Sequence, residues 1–199
     1  MVGRLGSLAA AIALFAAPAT AQMQGASDGD AFISAMKSGD SNTALELLKK
    51  PGSTVVNYRG LEGNAALHIA VRNREGNWVG YLLSREADPN IADKNGDTPL
   101  ILAARLGFSE GAARLLMYRA SVDKTNRIGE TALMAAVQGR NAAIVKMLLE
   151  AGADPDKADF ASGYSARDYA KRDTRSTEML RLIESVKSKK KTVVGPVKP

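Results

Sequence analysis

A catalytic mechanism needs side chains that transfer protons or attack a substrate, and this chain has few of them. His68 is the only histidine, and the chain has no cysteine. Histidine titrates near neutral pH, so His68 could act as a general base. No serine nucleophile can be assigned to it, and no set of metal ligands accompanies it. We therefore interpret His68 as a buried hydrogen-bonding side chain, and we expect no catalytic residue, cofactor or metal.

The acidic segment 154–159 is a second candidate, because it carries carboxylates at Asp154, Asp156 and Asp159. A calcium-binding EF-hand loop needs a central glycine and a closing glutamate, and neither is in place. We expect these aspartates to cap or end turns. The glycine-rich segment 60–63 also lacks the lysine and the preceding strand of a phosphate-binding loop.

The elements that position these residues recur along the chain. Gly63, Gly96 and Gly129 are 33 residues apart, and Gly163 follows after 34. Each opens a related segment: GNAALHIA at 63–70, GDTPLILA at 96–103, GETALMAA at 129–136 and GYSARDYA at 163–170. Leu-Leu pairs and polar turns follow the first three segments at constant offsets. A fixed period of this length is typical of a repeat architecture.

These segments resemble the ankyrin repeat, whose signature is G-x-T-P-L-H-x-A followed by a Leu-Leu pair and a polar turn. The resemblance covers about residues 30–185 and implies an all-α solenoid of helix-turn-helix units with projecting hairpin loops. We predict about five repeats within the domain 30–186, at 30–58, 59–91, 92–124, 125–157 and 158–186. The first and last are irregular, as capping ends of a stack require.

Local chemistry supports this interpretation. Thr98 can cap a helix whose first residue is Pro99, where the missing N–H of proline costs nothing. The signature threonine is replaced by Ala65 in the repeat of His68, so a backbone carbonyl or a neighbouring repeat must hold this histidine. Trp78 and Gly111 are equivalent positions of successive repeats, and we expect Trp78 to cover Gly111.

The N-terminus has the pattern of a secretory signal peptide at 1–21. Arg4 precedes an apolar run at 8–18, and Ala19-Thr20-Ala21 supplies the small residues of a cleavage site. The alternatives are a core helix or a membrane anchor, but the run is too short to span a bilayer. We expect cleavage between Ala21 and Gln22, a flexible mature N-terminus at 22–29, and export to a bacterial periplasm.

The net charge of +6 comes from the two ends of the chain. Without Arg4 and five lysines of the C-terminal tail, 21 cationic side chains face 21 acidic ones. A neutral domain argues against a groove that follows a nucleic acid backbone. In the basic tail 187–199, we expect residues 188–191 to end a final helix and residues 192–199 to be disordered in isolation. The tail is either a solvated end or a contact with anionic lipid or an acidic partner. The five lysines are Lys187, Lys189, Lys190, Lys191 and Lys198.

The resemblance also implies a binding surface, because ankyrin stacks bind proteins through hairpin tips and the exposed face of the first helices. Apolar groups at Leu61, Ile128 and Phe160 fall on turns, where interface anchors are often found. Arg72 and Arg105 occupy the same repeat position and suggest a positive ridge. The matching positions are Leu61, Glu62, Asn64, Arg72, Asn73, Lys94, Asn95, Asp97, Arg105, Leu106, Arg127, Ile128, Glu130, Gln138, Arg140, Phe160, Ser162 and Tyr164.

The prediction is therefore a monomeric, non-catalytic scaffold in the periplasm that binds another protein and no nucleic acid. The alternative is an envelope-associated factor, held by its basic tail to anionic membrane or to an acidic partner. An enzyme that depends on His68 is a third class, which the scarcity of catalytic groups disfavours.

Overall fold

The structure is a computed structural model that describes the backbone of residues 19–174 and 177–191, and the side chains of 28–174 and 177–185. The described part holds ten α-helices, one 3-10 turn at Val55–Asn57 and no named strand. The helices are α1 (Ala19–Ser38), α2 (Ser41–Lys49), α3 (Ala66–Arg72), α4 (Gly76–Ser84), α5 (Pro99–Leu106), α6 (Ser109–Met117), α7 (Ala132–Gln138), α8 (Ala142–Glu150), α9 (Ala166–Arg172) and α10 (Glu178–Lys191).

Consecutive helices form five pairs that stack side by side. The first helices contact one another in the order α1, α3, α5, α7 and α9, and α4, α6, α8 and α10 form a second row. This arrangement confirms the predicted all-α solenoid, with five helix pairs in the described residues. A single pair cannot cover its own apolar face, so stacking closes the core.

Leucines and alanines at equivalent repeat positions build this core. Leu82, Leu115 and Leu148 of the second helices are fully buried, and each contributes about 1.5–3 kcal/mol relative to an exposed side chain. Ala103 and Ala136 of the first helices are equally buried, and their small size allows neighbouring helices to approach closely.

The first helices begin at side-chain caps in the three later repeats. The hydroxyl of Thr98 accepts a hydrogen bond from the Ile101 N–H at 3.3 Å, and Thr131 caps α7 at the same distance. The capping residue before helix α3 is Ala65, which has no hydroxyl. Helix α3 is therefore the least well capped of these four first helices.

We expect the substitution Ala65→Thr to raise the free energy of unfolding by about 1 kcal/mol, because it adds the missing cap. The matched substitution Thr98→Ala should lower it by a similar amount. Urea unfolding of both variants measures the two effects. An Ala65→Thr variant less stable than the parent would contradict this expectation.

The prediction that Trp78 covers Gly111 is wrong. The space beside Gly111 is taken by the ring of Phe108, which belongs to the same repeat. Trp78 lines a cleft with Met36 of the first repeat and meets Tyr81 edge-on, with ring centroids 5.7 Å apart. Gly111 is therefore packed within its own repeat, whereas Trp78 packs towards the first repeat.

The N-terminal segment differs from expectation where it is described, and the C-terminal segment agrees with it. Residues 22–29 were expected to be flexible but lie inside α1, which no proline interrupts. Asp28 pairs with Lys50 at 2.9 Å, and this contact fixes the helix to the end of α2. Helix α10 continues to Lys191, which confirms the prediction that residues 188–191 end a final helix. Residues 1–18, with most of the predicted signal peptide, and 192–199 lie outside the described residues.

None of the described helices combines the length and apolarity that crossing a membrane requires.

Candidate functional site

Four hairpin loops, which we call fingers, precede the first helices α3, α5, α7 and α9. A backbone hydrogen bond of 3.0–3.1 Å closes each finger at its base. Each finger contains a glycine in the left-handed region, with φ of +72° to +82°, as a tight turn requires. The fingers span residues 60–63, 93–96, 126–129 and 159–163.

Each of the last three fingers packs through its tip on the finger before it. A Cβ on Gly63 would lie 2.7 Å from Cγ of Lys94, and a Cβ on Gly96 would lie 3.2 Å from Cγ of Arg127. The ring of Phe160 covers Gly129 in the same way. We call Leu61, Lys94, Arg127 and Phe160 the tip row. Leu61 belongs to it because it stands two residues before its own finger glycine, as Lys94 does.

Backbone hydrogen bonds between neighbouring fingers reinforce this packing. The N–H of Arg127 donates to the carbonyl of Asn95 at 3.0 Å, and the N–H of Phe160 donates to Ile128 at 2.9 Å. These two hydrogen bonds join the last three fingers into one backbone ladder, and the first finger contacts the second through the packing of Lys94 on Gly63.

Most of the predicted contact positions lie on the surface. Leu61 is 90% exposed, Phe160 74% and Ile128 55%. Leu106 and Tyr164 are half-buried. The remaining exposed positions are Glu62, Arg72, Asn73, Lys94, Asn95, Arg105, Arg127, Gln138, Arg140 and Ser162.

Three of the predicted positions are buried, and this is a correction to the predicted surface. Asn64, Asp97 and Glu130 occupy one repeat position just after each finger glycine. Their polar groups turn into the stack to bond with neighbouring repeats or with the helix that follows. A partner cannot reach them without displacing these bonds.

Asp97 and Glu130 belong to a polar network with Arg105 and Asn126. Arg105 donates from Nη1 to Asp97 at 2.6 Å and from Nη2 to Glu130 at 2.5 Å. The Asn126 amide donates to Asp97 at 2.7 Å and to Glu130 at 3.0 Å. Two adjacent repeats are thus joined through one guanidinium and one amide.

The network sets the charge states of its members. Burial raises the pKa of Asp97, but hydrogen bonds from Arg105 and Asn126 outweigh it and hold this pKa below the ordinary 3.8. Hydrogen bonding to Asp97 raises the pKa of Arg105 in turn. Asp97 and Arg105 therefore stay ionised at neutral pH, and the guanidinium of Arg105 faces two carboxyl groups.

The predicted positive ridge of Arg72 and Arg105 is therefore wrong for Arg105. The charge of Arg105 is offset within the network, whereas Arg72 makes a 3.4 Å hydrogen bond to the neutral amide of Asn64. The cations of the predicted surface that form no ion pair with a described residue are Arg72, Lys94 and Arg127. None of these three has an acidic partner within 4.0 Å among the described residues.

The acidic segment 154–159 is occupied by protein donors, as expected for turn-forming aspartates. Asp154 accepts from the Asp156 N–H at 2.9 Å, and Asp156 pairs with Arg167 at 2.6 Å. Desolvation raises the pKa of Asp159, but hydrogen bonds from Tyr169 and Ser162 lower it to about 2. Within the described ranges, no group of three or more acidic or histidine side chains could hold a metal ion.

His68 is fully buried and joins two repeats. Its Nε2 lies 3.0 Å from the backbone carbonyl of Asp97, which can only accept, so Nε2 carries the proton. Its Nδ1 accepts from the N–H of Ala65 at 3.2 Å. The predicted role of His68 as a buried tie between repeats is confirmed, and both ring nitrogens are used in the neutral form.

This geometry predicts a pH dependence of stability. Burial lowers the pKa of His68 from its ordinary 6.5, so below about pH 6.5 the unfolded chain binds a proton that the folded chain does not. We expect the free energy of unfolding to fall by up to about 1.4 kcal/mol per pH unit as the pH drops from 7 towards 5.5. Because His68 is the only histidine, a His68→Gln variant should lose this slope. Parallel urea curves for the two proteins would contradict the assignment.

Sequence reasoning missed Asn126, whose amide joins the two carboxylates while its own oxygen accepts the N–H groups of Ile128 and Glu130. The sequence does contain a signal for this residue. Asn126 stands three residues before a finger glycine, and Asp93 occupies the same position in the preceding repeat. A side chain that accepts from the backbone is common at such turns.

Two family profiles match the chain. One describes three copies of ankyrin repeats and matches residues 79–159, and the other describes a single ankyrin repeat and matches residues 62–94.

Similar proteins are found in animals and bacteria. The chain is 30% identical over 159 residues to the ANK repeat-containing protein nipk-1 of Caenorhabditis elegans, which covers 72% of this chain and 26% of that protein. The human mitochondrial disaggregase is 45% identical over 71 residues, or 35% of this chain and 10% of that protein. A putative ankyrin repeat protein of Rickettsia bellii (strain RML369-C) is 31% identical over 107 residues, or 51% and 31%. The chain spans less than a third of the length of each relative.

Proposed function

Because residues 62–159 are ankyrin repeats within an ankyrin-type solenoid, we propose that this protein is a non-catalytic scaffold that holds another protein on its finger tips. Ankyrin repeats in general mediate protein–protein interaction. The observation that supports the tips as the binding surface is the exposure of Leu61, Ile128 and Phe160 together on one edge of the stack.

The apolar tips are well suited to act as anchors. These exposed side chains leave apolar surface in contact with water. A partner that buries this surface gains about 25 cal/mol of binding free energy per Å². The hydrogen bond between Phe160 and Ile128 fixes the backbone of these two tips, so little backbone entropy is lost there on binding. Among the described residues, only Met117 and Tyr118 are exposed apolar groups of similar size elsewhere, and they lie at the end of α6.

We also propose that the protein acts after export to a bacterial periplasm. The support is the three-part pattern of residues 1–21. Expression of the full chain in a bacterial host tests this proposal by mass spectrometry of the product. We expect the mature chain to begin at Gln22 and to be released by osmotic shock, and an uncleaved chain in the cytoplasmic fraction would contradict it.

The scaffold proposal is tested by capture with matched variants. The full chain, a triple variant Leu61→Ser/Ile128→Ser/Phe160→Ser and a control Met117→Ser are each used as bait under identical conditions. We expect the parent and the Met117→Ser control to retain the same partner, and the triple variant to lose it by at least tenfold. Circular dichroism and urea unfolding confirm that the triple variant is folded. Equal retention by all three baits would exclude the tips as the binding surface.

A further inference from the structure

We propose that the tip row binds an extended acidic segment of the partner, with two carboxylates three residues apart and an apolar residue three positions beyond each. This inference rests on the proposed function and adds the chemistry of the partner. It follows from the order of side chains along the row, which is apolar, cationic, cationic and apolar at Leu61, Lys94, Arg127 and Phe160.

The two central cations are available for a partner. Lys94 and Arg127 are exposed, and neither forms an ion pair with another described residue. Their aliphatic stems lie on the glycines of the preceding fingers, so their positions are fixed while their charged ends face solvent.

The acidic groups near the row already have other partners. Glu62 pairs with Lys37 at 2.7 Å. Asp97 and Glu130 are buried and bonded to Arg105. Asp93 and Asp159 accept hydrogen bonds from N–H groups of their own finger segments. The two charged side chains of the row itself are both cations, and an acidic segment is the ligand complementary to them.

The repeat spacing determines the spacing of the ligand. Packed helices lie about 8–10 Å apart, so successive tips are separated by about the same distance. An extended segment in the polyproline II conformation advances about 3.1 Å per residue and completes one turn in three residues, so side chains three residues apart lie on one face and cover about one repeat. The matching segment reads apolar-x-x-acidic-x-x-acidic-x-x-apolar, and this pattern is the same in both chain directions.

The apolar ends of the row favour a protein segment over other anions. Leu61 and Phe160 flank the cations and are more exposed than Ile128 beside them. A nucleic acid backbone offers charge at every step but no aliphatic side chain for these ends. A lipid surface would meet only two unpaired cations here, which provide about 1 kcal/mol each near anionic lipid.

A displayed library of random twelve-residue peptides, selected on the immobilised full chain, tests the inference. We expect the enriched peptides to contain Asp or Glu three residues apart with Leu, Ile or Phe three positions beyond. The double variant Lys94→Gln/Arg127→Gln should bind the enriched peptides about tenfold more weakly, as expected for the loss of two exposed charge contacts. The matched control Lys49→Gln/Lys146→Gln, which removes two exposed cations of the second helices, should bind them as the parent does.

The outcomes separate the two proposals. Peptides that lose binding with Leu61→Ser/Phe160→Ser but not with Lys94→Gln/Arg127→Gln would overturn the acidic ligand and leave the tip surface standing. Peptides insensitive to every tip variant, or no enrichment at all, would count against both. Enrichment of basic peptides would overturn the inference. Tighter binding of phosphatidylglycerol vesicles or oligo(dT) through Lys94 and Arg127 would also overturn it.

Discussion

Replacing Arg105 by methionine is expected to lower the free energy of unfolding by about 2–3 kcal/mol. The methionine keeps most of the aliphatic stem but leaves Asp97 and Glu130, whose side chains are 7% and 12% exposed, without a cation. Breaking a fully buried ion pair costs about 3–5 kcal/mol. The smaller figure applies here because Arg105 is 41% exposed and water can partly replace it.

Urea unfolding at pH 7 measures this effect, and Arg114→Met is the matched control. Arg114 pairs with Glu110 on the surface of α6 at 2.9 Å, and loss of such a pair costs about 0.3–0.5 kcal/mol. A further check is the pH dependence of the difference. The lowered pKa of Asp97 stabilises the parent above about pH 4, and this stabilisation is lost on acidification, so the cost of Arg105→Met should shrink towards pH 3. An equal cost for both variants would contradict the network.

The substitution Gly129→Ala is expected to cost about 3 kcal/mol. Gly129 has a φ of +82°, where a Cβ costs about 1–2 kcal/mol. The added Cβ would also lie 2.5 Å from the backbone nitrogen of Phe160, so the next finger must shift and its hydrogen bond to Ile128 is weakened.

Gly163→Ala is the matched control, because Gly163 has a φ of +72° but no atom within 4 Å of the added Cβ. It ends the last finger, on which no further finger packs in the described chain. We expect it to cost only about 1–2 kcal/mol, the conformational part alone. Thermal and urea unfolding of both variants give the difference, which measures the contact between fingers. Equal costs would show that this contact contributes little.

The fold was predictable from the sequence because its determinants are local and repeated. Thr98 and Pro99 start a helix, Gly96 forms the turn before it, and the buried leucines recur at a constant offset. Each of these features acts within one repeat of about 33 residues, and the sequence shows the turn glycine four times and the Leu-Leu pair at a constant offset three times. The role of His68 followed in the same way, since its missing threonine partner pointed to a bond with the next repeat.

The surface chemistry was less predictable because it depends on contacts between repeats. Arg105 and Arg72 share a repeat position, but only Arg105 meets two carboxylates, since Asp97 and Glu130 stand where the preceding repeat has Asn64. Trp78 and Gly111 appeared to compensate each other in volume, yet Phe108 fills the space within its own repeat. Such pairings are set by three-dimensional packing and leave no periodic signal.

Hydrogen–deuterium exchange on the full chain, with and without its captured partner, tests the account most directly. The account predicts slower exchange in the four finger segments 60–63, 93–96, 126–129 and 159–163, and little change in the second helices α4, α6 and α8. Protection confined to those second helices, with the fingers unchanged, would contradict it.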